Sequence, residues 1–335
     1  MADVYDVIIV GAGPAGYSAA LYTTRDRYRT VMLEKEGLGG GQIMLTERVE
    51  NYPGIPLVGG PELIAAMHRQ VERFGCAFRT SAQATHLRRL EDGLLEVGLN
   101  GPEETLQGRC VILCPGSAYR QLGVPGEAQM RQATRVSYCA TCDGAFYKGK
   151  HVLTVGGGNT AVEDTIYLAE RFASKITMIH RREEFRAQKI LVEELEEKAR
   201  QHAIEIKRSY VLEAIVPNPA GDEIDHVQIR NLKTGKPETL GVDGVFIFAG
   251  MVPNTRWLAS SLELTPEGYI RCNCMTLQTS MPGVFVAGDC RQGATMQLVT
   301  ACADGVTAAL MMKRYFHDPK SWGLAQAENL GGSGW

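Results

Sequence analysis

The stretch Ser137-Tyr138-Cys139-Ala140-Thr141-Cys142-Asp143-Gly144 holds two cysteines that are separated by two residues and followed at once by a carboxylate. A close cysteine pair at the start of a helix favours disulfide exchange, because the helix N-terminus lowers the pKa of a thiol. Half of a zinc site is the alternative interpretation, since Cys272 and Cys274 form a second close pair and four thiolates can hold one ion. The adjacent Asp143 and a glycine-rich loop that begins at Gly156 favour redox chemistry, so we expect no metal.

A nucleotide-binding unit follows the cysteine pair. A predicted strand at 151–155 leads into Gly156-x-Gly158-x-x-Ala161, and a predicted helix at 160–172 and a second strand at 175–179 come next. Glycines in such a loop let the backbone approach a pyrophosphate closely, and the helix N-terminus faces its negative charge. This βαβ pattern therefore predicts a dinucleotide site.

The residues after the second strand of this unit read His180-Arg181-Arg182. Arg181 stands where a site for NADH would carry an acidic residue, and a guanidinium attracts the 2′-phosphate of NADPH. We predict a long charged helix at 183–202, in which Arg186 lies one turn beyond Arg182 and joins the cluster. A solvated helix start is the alternative, because two glutamates follow Arg182 directly.

Another βαβ unit opens the chain. A predicted strand at 6–10 leads into Gly11-x-Gly13-x-x-Gly16 and a helix, and the next strand, at 30–33, ends on Glu34. A carboxylate at that position binds ribose hydroxyls and repels a 2′-phosphate. The chain therefore carries two predicted dinucleotide sites that differ in the charge beside the ribose.

Length and composition favour two globular domains in a chain of 335 residues. We place the domain crossings near Tyr119 and Met251, which gives a discontinuous first domain, residues 1–118 and 250–335, and a second domain, residues 119–249.

A net charge of −3 gives no reason to expect nucleic acid as a partner, and no apolar run approaches the roughly 18 residues of a membrane span. The acidic N-terminus is not expected to be a signal peptide. Nine scattered cysteines favour a reducing, cytoplasmic compartment.

Six motifs stand in the order and spacing of one known family: Gly11–Gly16, Gly40-Gly41-Gln42, Cys139–Gly144, Gly156–Ala161, His180-Arg181-Arg182 with Phe185-Arg186-Ala187, and Gly288-Asp289. In these motifs the chain resembles the low-molecular-weight, bacterial-type thioredoxin reductases over nearly its whole length. The resemblance implies an α/β fold of two Rossmann-like domains of the three-layer ββα type, with an NADPH domain inserted into an FAD domain. It also implies a homodimer, and a rotation that brings the dithiol and the nicotinamide to the flavin in turn.

The resemblance further implies which residues act. Cys142 would face the flavin, Cys139 would attack the disulfide of thioredoxin, and Asp143 would exchange protons with the dithiol. Asp143 would need burial for this task, because a carboxyl group with its ordinary pKa is a poor acid at neutral pH. The residues expected to hold FAD are Gly11, Gly13, Pro14, Gly16, Glu34, Gly41, Gln42, Asn51, Asp289 and Gln297. The residues expected to hold NADPH are Gly156, Gly158, Asn159, Thr160, Arg181, Arg182 and Arg186.

Departures from the family pattern lie mainly among the residues expected near the flavin. Cys114-Pro115-Gly116 and Cys290 are unusual there, and Met296 replaces an arginine. A related enzyme with another donor, such as ferredoxin, or another acceptor protein is therefore an alternative. A flavin-binding redox sensor without turnover and a dithiol oxidase are further alternatives, although the intact dithiol and nucleotide motifs speak against both.

The terminal Trp335 could stack on the flavin or a partner, but a disordered terminus is the simpler hypothesis.

Overall fold

The computed structural model describes residues 4–37, 39–45, 49–101 and 104–322. These residues form two compact units, and the chain passes between them after Ala118 and after Met251. The sequence analysis placed the second crossing two residues earlier, between 249 and 250. The predicted contact of Trp335 lies outside the described residues. No helix within the described ranges is long and apolar enough to cross a membrane.

The N-terminal segment builds most of the sheet of the first unit. Its elements are β1 (Val4–Val10), α1 (Pro14–Arg25), β2 (Thr30–Leu33), a 3-10 turn (Gly41–Leu45), α2 (Gly60–Glu72), β3 (Ala77–Arg79), β4 (Ala84–Arg89), β5 (Leu95–Leu99) and β6 (Glu104–Leu113). The strand order is β3-β2-β1-β6-β5-β4. β1 runs parallel to β2 and β6, whereas β4, β5 and β6 form an antiparallel meander. The carboxyl ends of β1 and β2 are nearly all Val, Ile, Leu and Met and are buried, as is typical of parallel strands whose two faces are both covered.

The second unit is a parallel sheet with a smaller antiparallel sheet added to it. The short strand β7 (Ser117–Tyr119) lies at the crossing into this unit. The elements that follow are α3 (Glu127–Gln132), β8 (Val136–Ser137), α4 (Ala140–Asp143), a 3-10 turn (Gly144–Tyr147), β9 (His151–Gly156), α5 (Asn159–Arg171), β10 (Lys175–His180), α6 (Lys189–Gln201), β11 (Ile204–Arg208), β12 (Tyr210–Pro217), β13 (Ile224–Asn231), β14 (Pro237–Leu240) and β15 (Gly244–Phe248). The parallel order is β11-β10-β9-β15-β8, and β12-β13-β14 are antiparallel. The ends of β9 and β8 therefore lie on one sheet.

One predicted helix of this unit is wrong at its start. The sequence analysis placed a helix at 183–202, but α6 begins only at Lys189 and residues 181–188 form a loop. The backbone N–H groups of Arg186 and Ala187 donate to the carbonyl oxygen of Gly157, at 2.7 and 3.2 Å, instead of entering a helical ladder. Arg186 thus reaches the cluster through this loop and not through a helical turn.

The returning segment completes the first unit. Its elements are β16 (Met251–Pro253), a 3-10 turn (Arg256–Leu258), β17 (Val284–Val286), α7 (Leu298–His317) and a 3-10 turn (Pro319–Trp322). β17 pairs in parallel with the end of β6, and α7 packs on α1. Gly305 makes this helix contact close, because a Cβ there would overlap the carbonyl oxygen of Ala15. The segment therefore brings residues 288–297 beside the start of α1.

Candidate functional site

The cysteine pair lies at the start of α4 in the second unit. Cys139 is the N-cap of this helix and is joined to Cys142 by a disulfide. The Sγ atom of Cys139 accepts a hydrogen bond from the backbone N–H of Cys142 at 3.2 Å. A thiolate formed at this position would keep that donor and face the helix N-terminus, which stabilises negative charge. The predicted location at a helix start is therefore what the structure shows.

Asp143 follows the pair and sits in a polar network with Ser137. The hydroxyl of Ser137 donates to the carboxylate of Asp143 at 2.6 Å and accepts from the backbone N–H of Cys139 at 3.1 Å. Burial raises the pKa of Asp143, and the Ser137 hydrogen bond lowers it in part. The carboxyl group is thus held in place, and its pKa is shifted in the direction that favours a proton donor.

A second carboxyl group, Asp164, also reaches the disulfide helix. Its side chain on α5 lies close to the backbone of Ala140, the residue after Cys139, and this contact lowers its pKa. Burial, together with the charge of Glu163, raises the pKa of Asp164 to about 6. The sequence analysis missed this residue, because nothing in the local pattern distinguishes it from other acidic residues of a helix.

The phosphate loop of the first unit leaves the start of α1 open to an anion. Gly11 has a φ of +103°, and a Cβ on Gly16 would overlap the carbonyl oxygen of Gly11. A Cβ on Gly13, in contrast, would meet no atom within 4 Å, and no side chain caps α1, whose first residue is Pro14. Free N–H groups at a helix start beside open space suit a pyrophosphate.

The other residues expected to hold FAD gather around this loop to different degrees. The carboxylate of Glu34 accepts from the backbone N–H of Ala12 at 3.0 Å, which fixes it beside the loop. The backbone N–H of Gly40 donates to the carbonyl oxygen of Ala12 at 2.7 Å, which brings the segment with Gly41 to the same place. The side chain of Gln42 donates to the carbonyl oxygen of Ser117 at 2.6 Å.

Asp289, Asn51 and Gln297 occupy three different surroundings. Burial, together with the charge of Asp304, raises the pKa of Asp289 to about 6. Asn51 is exposed in the loop before α2. Gln297 is the N-cap of α7, where its backbone N–H donates to the hydroxyl of Thr300 at 3.2 Å. This bond fixes the backbone of Gln297 at the start of the helix.

The second nucleotide unit repeats the open helix start. No side chain caps α5, whose N-cap is Gly158, and a Cβ on Gly158 would meet no atom within 4 Å. The side chain of Asn159 accepts from the backbone N–H of Gln188 at 2.9 Å, so it holds the loop before α6. Thr160 is exposed one residue further along α5.

Three exposed arginines lie in the loop after β10. Arg181, Arg182 and Arg186 form no ion pair with any carboxylate of the described residues. Glu183, which could have neutralised them, binds Lys233 and the hydroxyl of Ser209 instead. The segment is a loop and not the helix start considered above, and its exposed guanidinium groups are of the type that binds an anion.

The four thiols of the alternative zinc site are divided between the two units. Cys139 and Cys142 belong to the second unit, whereas Cys272 and Cys274 belong to the first. Within the part of the chain that the structure describes, no three His, Cys, Asp or Glu side chains group in a way that could hold a metal ion.

A disulfide beside a partly buried carboxyl group, together with two open glycine-loop helix starts, is typical of an oxidoreductase that links dinucleotides to thiols. The chain belongs to the pyridine nucleotide-disulphide oxidoreductase family, whose sequence model matches residues 5–305. It is 39% identical over 317 residues to the thioredoxin reductase of Bacillus subtilis, covering 94% of this chain and 96% of that protein. It is 38% identical over 320 residues to the thioredoxin reductase of Streptomyces coelicolor, covering 92% and 93%.

Solved structures agree with these sequence relatives. The thioredoxin reductase of Streptococcus pyogenes superposes with a TM-score of 0.84 at 36% identity, covering 94% of this chain and 98% of that one. That of Giardia duodenalis gives 0.84 at 31% identity, covering 94% and 99%. The predicted resemblance, the α/β fold of two Rossmann-like domains and the assignment as an enzyme are thereby confirmed. As a member of this family, the enzyme uses a flavin and a pyridine nucleotide.

Proposed function

We propose that the chain is an NADPH-dependent thioredoxin-disulfide reductase. The observation that carries the proposal is the Cys139–Cys142 disulfide, which lies at a helix start beside the partly buried Asp143. FAD would bind the first unit at the Gly11–Gly16 loop, and NADPH would bind the second unit at Gly156 and Gly158. The three free guanidinium groups after β10 favour NADPH over NADH, because they can bind a 2′-phosphate.

The chain's own residues can carry out the thiol chemistry. Bound flavin and nicotinamide would supply the electron pair that opens the Cys139–Cys142 disulfide. The Cys139 thiolate then attacks one sulfur of the thioredoxin disulfide, which releases one substrate thiolate and forms a mixed disulfide. Cys142 attacks Cys139 next, which releases the second substrate thiolate and restores the starting disulfide. Asp143 donates a proton to a thiolate in this sequence, and one NADPH and one proton are consumed in each turnover.

Purified enzyme should reduce a panel of thioredoxins with NADPH as the electron donor. Cys139→Ser and Cys142→Ser should each abolish this reduction and keep the bound flavin. Flavin bleaching should be fast with NADPH and slow with NADH or reduced ferredoxin. Thioredoxin reduction that persists in Cys139→Ser would refute the assigned nucleophile. Bleaching by reduced ferredoxin alone would refute the assigned donor and favour the related enzyme with another donor.

The proposed assembly is a homodimer, in keeping with the family resemblance. Two large apolar side chains on α7, Val299 and Leu310, are 38% and 40% exposed. They lie eleven residues apart, which places them on one face of the helix after three turns. An exposed apolar face suits a protein partner. Light scattering during gel filtration should give twice the mass of 36.6 kDa, and a single-chain mass would contradict the dimer.

The proposed compartment is the cytoplasm. Apart from the Cys139–Cys142 pair, seven cysteines are free, and Cys274 is exposed. Free thiols in such number suit a reducing environment. Fractionation of the native host cells should recover the protein with cytoplasmic markers, and recovery with an oxidising compartment would contradict this assignment.

A further inference from the structure

An acidic residue, Glu183, stands among the arginines of the second nucleotide unit. The segment 181–188 is called the arginine loop below, and in it Glu183 follows Arg182 directly and precedes Arg186 by three residues. All three side chains are exposed. A carboxylate so close in the chain is a natural partner for either guanidinium group and would compete there with a 2′-phosphate. The contacts that Glu183 makes therefore bear on what the arginine loop can bind.

Two side chains outside the arginine loop bind Glu183. The ammonium group of Lys233 pairs with its Oε2 atom, and the hydroxyl of Ser209 donates to the same oxygen at 2.9 Å. The Lys233 bond and the Ser209 bond lower the pKa of Glu183, so its side chain carries a full negative charge at neutral pH. Ser209 and Lys233 are called the glutamate clamp below.

Backbone hydrogen bonds hold the glutamate clamp in place. Ser209 lies between β11 and β12, has a φ of +61° and is 6% exposed. Its N–H donates to the carbonyl oxygen of Arg182 at 3.1 Å, and its own carbonyl oxygen accepts from the N–H of Leu232 at 2.7 Å. The side-chain oxygen of Asn231 accepts from the N–H of Lys233 at 2.8 Å. The arginine loop, the turn after β11 and the turn after β13 are thus joined.

The glutamate clamp matters for charge more than for stability. The side chains of Lys233 and Glu183 are 62% and 59% exposed, and an exposed pair contributes little to the folded state. A glutamate side chain rotates freely unless its carboxylate is bound. Without the clamp, the guanidinium groups of its own loop are the nearest cations to Glu183 along the chain. A carboxylate that pairs with one of them occupies a donor that a phosphate would otherwise use.

We propose that Ser209 and Lys233 are positioning residues that keep Glu183 from neutralising the arginine loop, and that they thereby favour a nucleotide with a 2′-phosphate. The inference rests on the proposed use of NADPH and adds residues that set this preference without touching the nucleotide. The clamp acts through the charge of Glu183, so its effect disappears when that charge is removed. Because the residues involved are exposed, the effect also shrinks as the ionic strength rises.

The test uses the FAD-loaded enzyme and two nucleotide fragments, adenosine 2′,5′-bisphosphate and 5′-AMP, which differ by the 2′-phosphate. Calorimetry at pH 8 and low ionic strength measures both affinities, since a phosphate whose second pKa is near 6 is fully charged there. The double variant Ser209→Ala with Lys233→Met removes the clamp, and it is measured with and without Glu183→Gln. Lys233→Arg keeps the cation. Lys236→Met is the matched control, because it removes one exposed lysine from the same turn and leaves the clamp intact.

Removal of the clamp should weaken binding of the bisphosphate by about three- to fivefold, the range that an exposed ion pair supports, and binding of 5′-AMP by less than about twofold. Addition of Glu183→Gln should restore the affinity for the bisphosphate. Glu183→Gln alone, Lys233→Arg and Lys236→Met should each stay within about twofold of the wild type, because none of them releases the carboxylate. High salt should reduce the difference between the wild type and the clamp-free variant.

Wild-type affinity for the bisphosphate after removal of the clamp would overturn the inference. A weakening that persists when Glu183→Gln is added would also overturn it, because the clamp would then act through the fold of the loop and not through the carboxylate. Equal weakening of both fragments would do the same. Wild-type enzyme that binds the bisphosphate no tighter than 5′-AMP would instead overturn the proposed NADPH preference itself.

Discussion

A largely buried ion pair joins Arg291, in the turn that carries Asp289, to Asp304 on α7, and its removal has a predictable cost. The Nε and Nη2 atoms of Arg291 donate to the two carboxylate oxygens of Asp304 at 2.7 and 3.0 Å. The backbone N–H of Gly288 donates to the same carboxylate at 3.0 Å. Both charged side chains are 13% exposed. Asp304→Asn therefore leaves a buried guanidinium without its counter-charge.

We expect Asp304→Asn to lower the free energy of unfolding of the first unit by roughly 3–5 kcal/mol, the usual cost of removing one partner of a buried pair. Glu104→Gln is the matched control in the same unit, because it breaks the Arg79–Glu104 pair, whose side chains are 42% and 52% exposed. An exposed pair contributes only about 0–1 kcal/mol. The double variant Asp304→Asn with Arg291→Met should lose less than Asp304→Asn alone, since no orphaned charge remains.

Urea unfolding of the FAD-free protein, followed by tryptophan fluorescence, measures these differences in the correct unit. The three tryptophans, at 257, 322 and 335, all fall outside the second unit, which ends at Met251. FAD retention on gel filtration is a second readout, because the displaced turn carries Asp289. A loss below about 1 kcal/mol for Asp304→Asn, equal to that of Glu104→Gln, would refute the reasoning that burial makes this pair strong.

Three further changes test single residues of the site. Asp143→Asn should slow thioredoxin reduction by about 10²–10⁴-fold, the usual contribution of a general acid, and an unchanged steady-state rate would exclude Asp143 as the proton donor. Gly16→Ala should destabilise the first unit by about 1–3 kcal/mol and reduce FAD occupancy, because the added Cβ would overlap the carbonyl oxygen of Gly11. Urea unfolding measures the loss of stability, and the flavin-to-protein absorbance ratio measures the FAD occupancy. Burial raises the pKa of Asp289 to about 6 from an ordinary 3.8. Between these two pH values the native state keeps a proton that the unfolded chain releases. The free energy of unfolding therefore falls as the pH rises through this range. Asp289→Asn should therefore stabilise the FAD-free protein by up to about 3 kcal/mol at pH 8 and hardly at pH 4, and an equal effect at both pH values would contradict the argument.

The local elements of both nucleotide units could be predicted because their signals are short-ranged. The strand predicted at 151–155 is β9 (His151–Gly156), and the helix predicted at 160–172 is α5 (Asn159–Arg171). Continuous apolar runs that end in glycine loops indicate buried parallel strands whatever the rest of the chain does. The position of the cysteine pair at a helix start follows from the same kind of local pattern.

The residues that hold the site in place could not be predicted, because each acts through a long-range contact. Asp164 reaches the backbone of Ala140 from another helix, and Asp304 reaches Gly288 across sixteen residues. The helix predicted at 183–202 failed for the same reason. Good helix formers fill its first turns, but the amides of Arg186 and Ala187 find an acceptor in the phosphate loop, and tertiary hydrogen bonds override helix propensity.

The two nucleotide units differ in the hydrogen bond that joins the phosphate loop to the segment after the second strand. In the first unit the phosphate loop is the donor: the N–H of Ala12 donates to the carboxylate of Glu34, the residue expected to bind ribose hydroxyls. In the second unit the phosphate loop is the acceptor: the carbonyl oxygen of Gly157 receives the backbone N–H groups of Arg186 and Ala187. A backbone donor leaves the side chain of Arg186 free, so the guanidinium can point to a phosphate and need not support the loop. The side-chain motif already distinguishes the acidic from the basic site, but it does not reveal the path of the backbone after β10, which places Arg186 in a loop and not in a helix.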